Sequence, residues 1–385
     1  MVAIILFAQA IQAQRGFASV KNLIDENAEF DSADFAKLEQ GHPAVAVLPA
    51  RHKQEVAVYG LVRVDAPAER FLQSFLDTMA TRSNSAILEI GRFRSVPSID
   101  DLSTLTMERE DIEDLKSCVV GNCELKLSAE MIDQFQKTVE WQSSDYATQA
   151  TDLYKRMLLD YVRDYLTRGD EALIEYADKS RTVSVLQGQR ALLSSLPAFF
   201  HQSRQDGNSF STVENAIVWS KIKFGLKPVL AINHIMIFKN KQEFGPEILI
   251  LSKQIYANHY FNGSVGVTGL ARNSAGTDEH YLFYENHSLA DALQGLFSGI
   301  KRRVIEREAA DGLKSILKGT QVRLDSLAAN ENETGPPSQT ASTWKRLRVS
   351  SKQVVFLLIC VTALVMLALG SYYRKANIPP GKHAS

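Results

Sequence analysis

Apolar and polar positions change period twice along this chain, and the two changes divide it into three parts. Glu55 to Val64 reads Glu-Val-Ala-Val-Tyr-Gly-Leu-Val-Arg-Val, a run of β-branched and aromatic residues that predicts a strand. Asp65-Ala66-Pro67 stops it, with Asp65 placed to cap a helix that holds Pro67 in its first turn. In that helix Phe71, Leu72, Phe75, Leu76 and Met79 form one apolar face. A second strand is expected at Ala86 to Phe93. From about 128 to 200 the spacing turns helical: Ser128 caps its start, and Leu153, Met157, Tyr161 and Tyr165 recur every four residues. Beyond Pro197 the period shortens again. Ala216 to Phe224, Val229 to Phe238, Glu247 to Tyr256, Ser264 to Leu270 and His280 to Tyr284 are short apolar runs separated by polar or glycine-containing breaks, the pattern of an antiparallel meander. Ser288 to Leu317 then reads as a long helix, buried along Leu289, Ala292, Leu293, Leu296, Ile300, Val304 and Ile305.

The order strand, helix, strand, helical insertion, meander, long final helix gives an α+β fold in which a curved antiparallel sheet packs on the C-terminal helix. On Val56 to Val64 running through Asp65-Ala66-Pro67 into a helix, and on a sheet followed by Ser288 to Leu317, residues 45 to 325 resemble the START-like or Bet v 1-like helix-grip superfamily. The helical stretch of 128 to 200 is longer than such folds usually place between early strands, and the resemblance carries no diagnostic motif. It implies a cavity between sheet and helix for a lipid or another hydrophobic small molecule.

The ends carry a different signal. Gln353 to Tyr373 has no charged residue, and at about 1.5 Å per residue it is roughly the thickness of a bilayer. Lys345, Arg346, Arg348 and Lys352 precede it, and Tyr372, Tyr373, Arg374 and Lys375 follow it, which suits the headgroup level on both sides. One transmembrane helix is therefore expected at 353–373, after a linker at 326–344 and before a short tail at 374–385. At the other end, residues 1–18 resemble a secretory signal peptide: an apolar run, then small-x-small triplets, without a preceding basic residue. Residues 19–44 form a polar N-terminal extension. With a signal peptide the domain faces the extracytoplasmic side; without one the chain is tail-anchored with a cytoplasmic domain.

Composition adds exclusions. The chain has 385 residues, 45% of them hydrophobic, so a sizeable core is affordable. Lys and Arg total 43 against 44 Asp and Glu, and this balance gives no overall field to attract nucleic acid. Basic Lys301, Arg302, Arg303 and Arg307 read as a solvated helix face paired with Glu306 and Glu308.

Candidate chemistry is sparse. Of three cysteines, Cys360 lies inside the expected span, and Cys118 and Cys123 stand together in Ser-Cys-Val-Val-Gly-Asn-Cys. In an oxidising compartment they close a small loop over Gly121-Asn122; otherwise they are two free thiols, and metal or redox use would need partners that the neighbouring sequence lacks. His234, Tyr256, His259 and Tyr260 are candidates for lining the cavity, with His280 and His287 nearby. A His–Tyr cluster can do acid–base work, but satisfied strand-end residues are the plainer reading, and spacing fixes no carboxylate partner. Hydrolase, phosphate-loop and zinc motifs are absent in a usable setting. Asn262-Gly263-Ser264, Asn286-His287-Ser288 and Asn332-Glu333-Thr334 match the glycosylation sequon. No cofactor is expected. The functional expectation is a membrane-anchored binding module, with an anchored structural or protein-interaction protein as its rival.

Overall fold

The computed structural model describes residues 30–80, 87–196, 210–223, 227–241, 245–272, 279–293 and 298–334. The expected signal peptide at 1–18 and span at 353–373 lie outside these residues. Among the described residues no helix is long and apolar enough to cross a membrane.

The protein is α+β, built on an eight-stranded antiparallel sheet with a C-terminal helix. Helix α1 (Ser32–Glu39) is capped by Asp31, whose carboxylate accepts from the amides of Ala33 and Asp34. The edge strand β1 (Ala44–Val47) follows, then β2 (Glu55–Val64), α2 (Ala68–Ala80) and β3 (Ile87–Arg92). Helices α3 (Arg109–Leu115), α4 (Ala129–Thr138), α5 (Tyr146–Arg168) and α6 (Val185–Leu193) come next, with the two-residue strands β4 (Glu175–Tyr176) and β5 (Val183–Ser184) between the last two. The meander is β6 (Phe210–Ile222), β7 (Val229–Asn240), β8 (Pro246–Ala257), β9 (Phe261–Arg272) and β10 (His280–Ala290), and α7 (Ser298–Thr334) ends the fold. The strand order is β1-β2-β10-β9-β8-β7-β6-β3, so the meander returns to pair its last strand with β2.

Helix begins later than the sequence pattern suggests, and extends further. Asn286 to Leu289 stay in β10 because Val58, Ala57, Val56 and Glu55 are there to pair with them. The final helix starts at Ser298 and runs to Thr334, into the stretch read as a linker.

Both faces of the sheet are covered. On one, Val56, Val58, Val62, Ile235, Ile237, Ile248, Ile250 and Leu282 pack against Phe71 and Phe75 of α2 and Ile305, Ala309, Leu313 and Leu317 of α7. The four-residue spacing of Ile305, Ala309, Leu313 and Leu317 gives α7 its buried stripe. On the other face Trp219, Ile232, Ile255 and Tyr256 meet α4 and α5 of the insertion. Beside them Ala57, Tyr59, Leu251, Val265 and Phe283 meet Leu38 of α1 and Leu192 of α6. At Gly60 the contact with α7 is so close that a Cβ would stand 2.6 Å from Leu317 Cδ1 and 2.7 Å from Leu313 Cδ2. Glycine is required there by space.

Candidate functional site

Side chains alternate across a strand, so the register fixes which residues share the face toward α2 and α7. Along β8 these are Ile248, Ile250, Ser252 and Gln254; along β10, Leu282, Tyr284, Asn286 and Ser288; along β9, Leu270, Thr268, Gly266 and Ser264. In β7 they are Ile237, Ile235 and Asn233, and in β6 Ser220 joins them opposite Ala231. One end of this face is thus apolar and the other, toward the β8–β9 turn, is polar. The polar positions are buried: Ser220, Ser252, Gln254, Ser264, Asn286 and Ser288 are all at most 2% exposed, and Asn233 is 6% exposed.

This polar floor has two parts. On β9 and β10 it is self-satisfied: Ser288 donates to Asn286 Oδ1 at 2.8 Å, Asn286 Nδ2 donates to Ser264 Oγ at 3.1 Å, and the Ser264 and Ser288 hydroxyls are 2.7 Å apart. On β6, β7 and β8 it is not. Ser220 Oγ, Asn233 Oδ1, Ser252 Oγ and Gln254 Oε1 are buried without a protein hydrogen-bond partner. Asn233 and Gln254 face each other directly across β7 and β8, and the four atoms spread over three adjacent strands, roughly 10 Å. An unsatisfied buried polar group costs about 1–3 kcal/mol, so four on one surface mark a place where something other than the apolar core belongs.

The residues singled out by sequence lie elsewhere. Cys118 and Cys123 form a disulfide at the end of α3, with Gly121 at φ +88° making the reversal between them. The loop is pinned by Gly121 N donating to Ala177 O and Cys123 N to Asp178 O. His234 and Tyr256 face the insertion, away from α7. Tyr165 Oη lies 2.8 Å from His234 Nδ1, and burial, with Lys253 adding, lowers the His234 imidazole to about 4, so it is neutral at physiological pH. Tyr256 donates to Lys126 O and shares a 2.9 Å hydrogen bond with Tyr154, in a burial that lifts both phenols far above their usual range.

His259 and Tyr260 form the β8–β9 turn, where Tyr260 takes φ +61°. That left-handed conformation is held by packing around it: Tyr260 Oη accepts from the Lys227 amide, and His259 Nε2 is 3.2 Å from both oxygens of Asp111. Lys227 reaches Asp111 at 3.2 Å and also pairs with Asp114. Asp111 is thus the carboxylate partner that spacing did not supply. It lies 148 residues from His259 in sequence. Burial works to raise the Asp111 carboxyl, but His259 and Lys227 outweigh it and hold it below the usual range. A chamber of about 10 Å³, the size of one water, adjoins this group between Thr106, Asp111, Tyr154, Lys221 and Asn258. Every acid and base there already has an opposite charge, which makes the cluster a tie between α3 and the sheet.

A second tie on the same side joins β2 to β10: His287 bridges Glu55 and Glu285, 2.7 Å from each. Among the described residues no group of histidine, cysteine and acidic side chains is arranged to hold a metal. A groove of about 490 Å³ on the outer side of α5 is lined by Lys155, Arg156, Arg163, Asp152 and Asp160, of mixed sign.

Comparisons with protein-family models, with curated proteins and with solved structures found no match in any of the three.

Proposed function

We propose that this chain is an exported, membrane-anchored binding module that receives a small amphipathic molecule between the sheet and helices α2 and α7. A single observation carries the reading: the buried Ser220 Oγ, Asn233 Oδ1, Ser252 Oγ and Gln254 Oε1, which lack a protein hydrogen-bond partner, next to an apolar half made of Ile235, Ile237, Ile248 and Ile250. A lipid-like ligand matches both halves, its polar group on the floor and its chain along the isoleucines. The order of elements supports the helix-grip resemblance, since α2 follows β2, the meander returns to β2 and a long helix follows the meander. Helices α4 and α5 of the insertion pack on the other face of the sheet, so they do not cover this one. The anchor is the uncharged stretch 353–373, and the disulfide at Cys118 and Cys123 suits an extracytoplasmic domain.

One observation favours the rival, an anchored interaction protein without a ligand. At Gly60, α7 lies against β2 with no room for a methyl group. It confines any ligand to the β6–β9 side of the interior.

The test is to purify the full chain, which detergent and not carbonate should release from membranes, and to extract it with organic solvent. A single class of molecule enriched over the bulk membrane lipids is expected, close to one per chain. An extract with the composition of the membrane itself would contradict the proposal.

A further inference from the structure

Where the insertion meets the sheet, one lysine is enclosed with an asparagine and two carboxylates. Lys126 comes from the segment before α4, Asn262 from the start of β9, Asp291 from the turn just after β10, and Asp178 from the turn after β4. Lys126 Nζ donates to Asn262 Oδ1 at 2.7 Å and to Asp291 Oδ2 at 2.8 Å, with Asp178 Oδ2 at 3.8 Å. Asn262 Nδ2 donates to Asp291 Oδ1 at 2.7 Å. Lys126, Asn262 and Asp178 are each at most 3% exposed, and the Tyr176 ring lies below the ammonium at 5.0 Å.

Asn262 opens the Asn-Gly-Ser sequon, but its buried and bonded amide is closed to a glycosylating enzyme in the folded chain. The same burial suits a different modification. We infer that Lys126 and Asn262 become joined by an intramolecular isopeptide bond.

Each requirement of that reaction is present. Asp291 touches the attacking nitrogen with one oxygen and the leaving nitrogen with the other. It takes a proton from the Lys126 ammonium, and the neutral amine attacks Cγ of Asn262. The new Nζ–Cγ bond forms, the Cγ–Nδ2 bond breaks, and the second amine proton passes to Nδ2, which departs as ammonia. Asp291 returns its proton to that ammonia, leaving an amide and an ammonium ion, with no change in oxidation state. Asp178 is the second carboxylate of the enclosure; burial raises its carboxyl above the usual range, with Asp291 adding to the rise against the pull of Lys126. Fixed proximity replaces an external catalyst, and exclusion of water removes hydrolysis as a competitor. The bond would fasten the insertion to β9, across 136 residues of sequence.

Mass spectrometry of the purified full chain, reduced and digested with trypsin, tests this directly. The expected result is a branched peptide joining the Lys126 segment to the Asn262 segment, lighter than its two parts by one ammonia, with no cleavage after Lys126. Lys126→Arg and Asn262→Ala should each abolish the branched peptide, and Asp291→Asn should leave most of the chain unlinked. Recovery of free Ser117–Lys126 and unmodified Gln254–Arg272 in stoichiometric yield from the native protein would overturn the inference, whatever the variants do. Full linkage in the Asp291→Asn variant would overturn the proton route assigned to that carboxylate.

Discussion

Two sets of polar side chains are buried in this protein, and they differ in whether their partners came with them. On the face away from α7, Lys227 with Asp111 and Asp114, and His287 with Glu55, form charged pairs between segments far apart in sequence. On the face toward α7, the uncharged Ser220 Oγ, Asn233 Oδ1, Ser252 Oγ and Gln254 Oε1 are buried without a protein hydrogen-bond partner. Charges cannot be buried unpaired, so the first set ties α3 to the sheet and β2 to β10. Neutral amides and hydroxyls can wait for a partner from outside, at lower cost.

The paired set should break hardest. Asp111→Ala leaves Lys227 and His259 buried without their shared carboxylate, and removing one member of such a group costs about 3–5 kcal/mol. Thermal melting should show a large drop in Tm; a loss below about 1 kcal/mol would mean that the tie between α3 and the sheet is not a determinant of the fold.

His287 makes the same set sensitive to pH. Burial alone would lower its pKa, but hydrogen bonds and charge from Glu285 and Glu55 outweigh that and raise it to about 9. A group raised on folding contributes stability in full below its unfolded value near 6.5 and loses it as pH rises through the folded value. Burial raises the Glu285 carboxyl as well, so its contribution falls with rising pH in the same sense, beginning at lower pH. Stability should therefore decline by up to roughly 3 kcal/mol between about pH 6.5 and 9. His287→Gln should flatten that slope; an equal slope in the variant would remove His287 as its source.

How much of this was legible beforehand depends on which signal each part uses. Strand β2 was readable because Val56 to Val62 is buried on both faces and therefore apolar without interruption, and Ser128 was readable as a cap because its hydroxyl accepts from Met131 N. The polar floor was hidden. In a strand such as β8, Ser252 and Gln254 alternate with Leu251 and Lys253 and resemble positions turned to water. Only the cover supplied by the helices makes them interior. Asp111 could not be matched to His259 for a simpler reason: spacing along the chain carries no information on a contact between α3 and a turn so far downstream.

The α7 side can be tested for closeness of packing. Gly60→Ala should cost about 1–3 kcal/mol, since the new methyl must displace Leu313 or Leu317. A neutral effect would show that α7 shifts easily over β2, and would remove the boundary that confines the floor to the other strands.

The Cys118–Cys123 loop should matter least to stability. In the chain-entropy model so short a closure contributes at most roughly 2–3 kcal/mol, and the loop is also pinned by hydrogen bonds to 177 and 178. Replacing both by Ser should lower Tm modestly and leave the domain folded. Two reactive thiols in freshly isolated, denatured protein would show the bond unformed, and would count against an oxidising compartment.

The central claim is that the unpartnered floor is a binding surface. Native mass spectrometry of the detergent-purified chain, beside an Asn233→Leu/Gln254→Leu variant, asks this most directly. The wild-type chain should retain an added mass that the variant lacks, while the variant, with its buried amides replaced by apolar groups, melts at or above the wild-type temperature. A wild-type chain that flies at its own mass, or a variant that keeps the same adduct, would contradict the account.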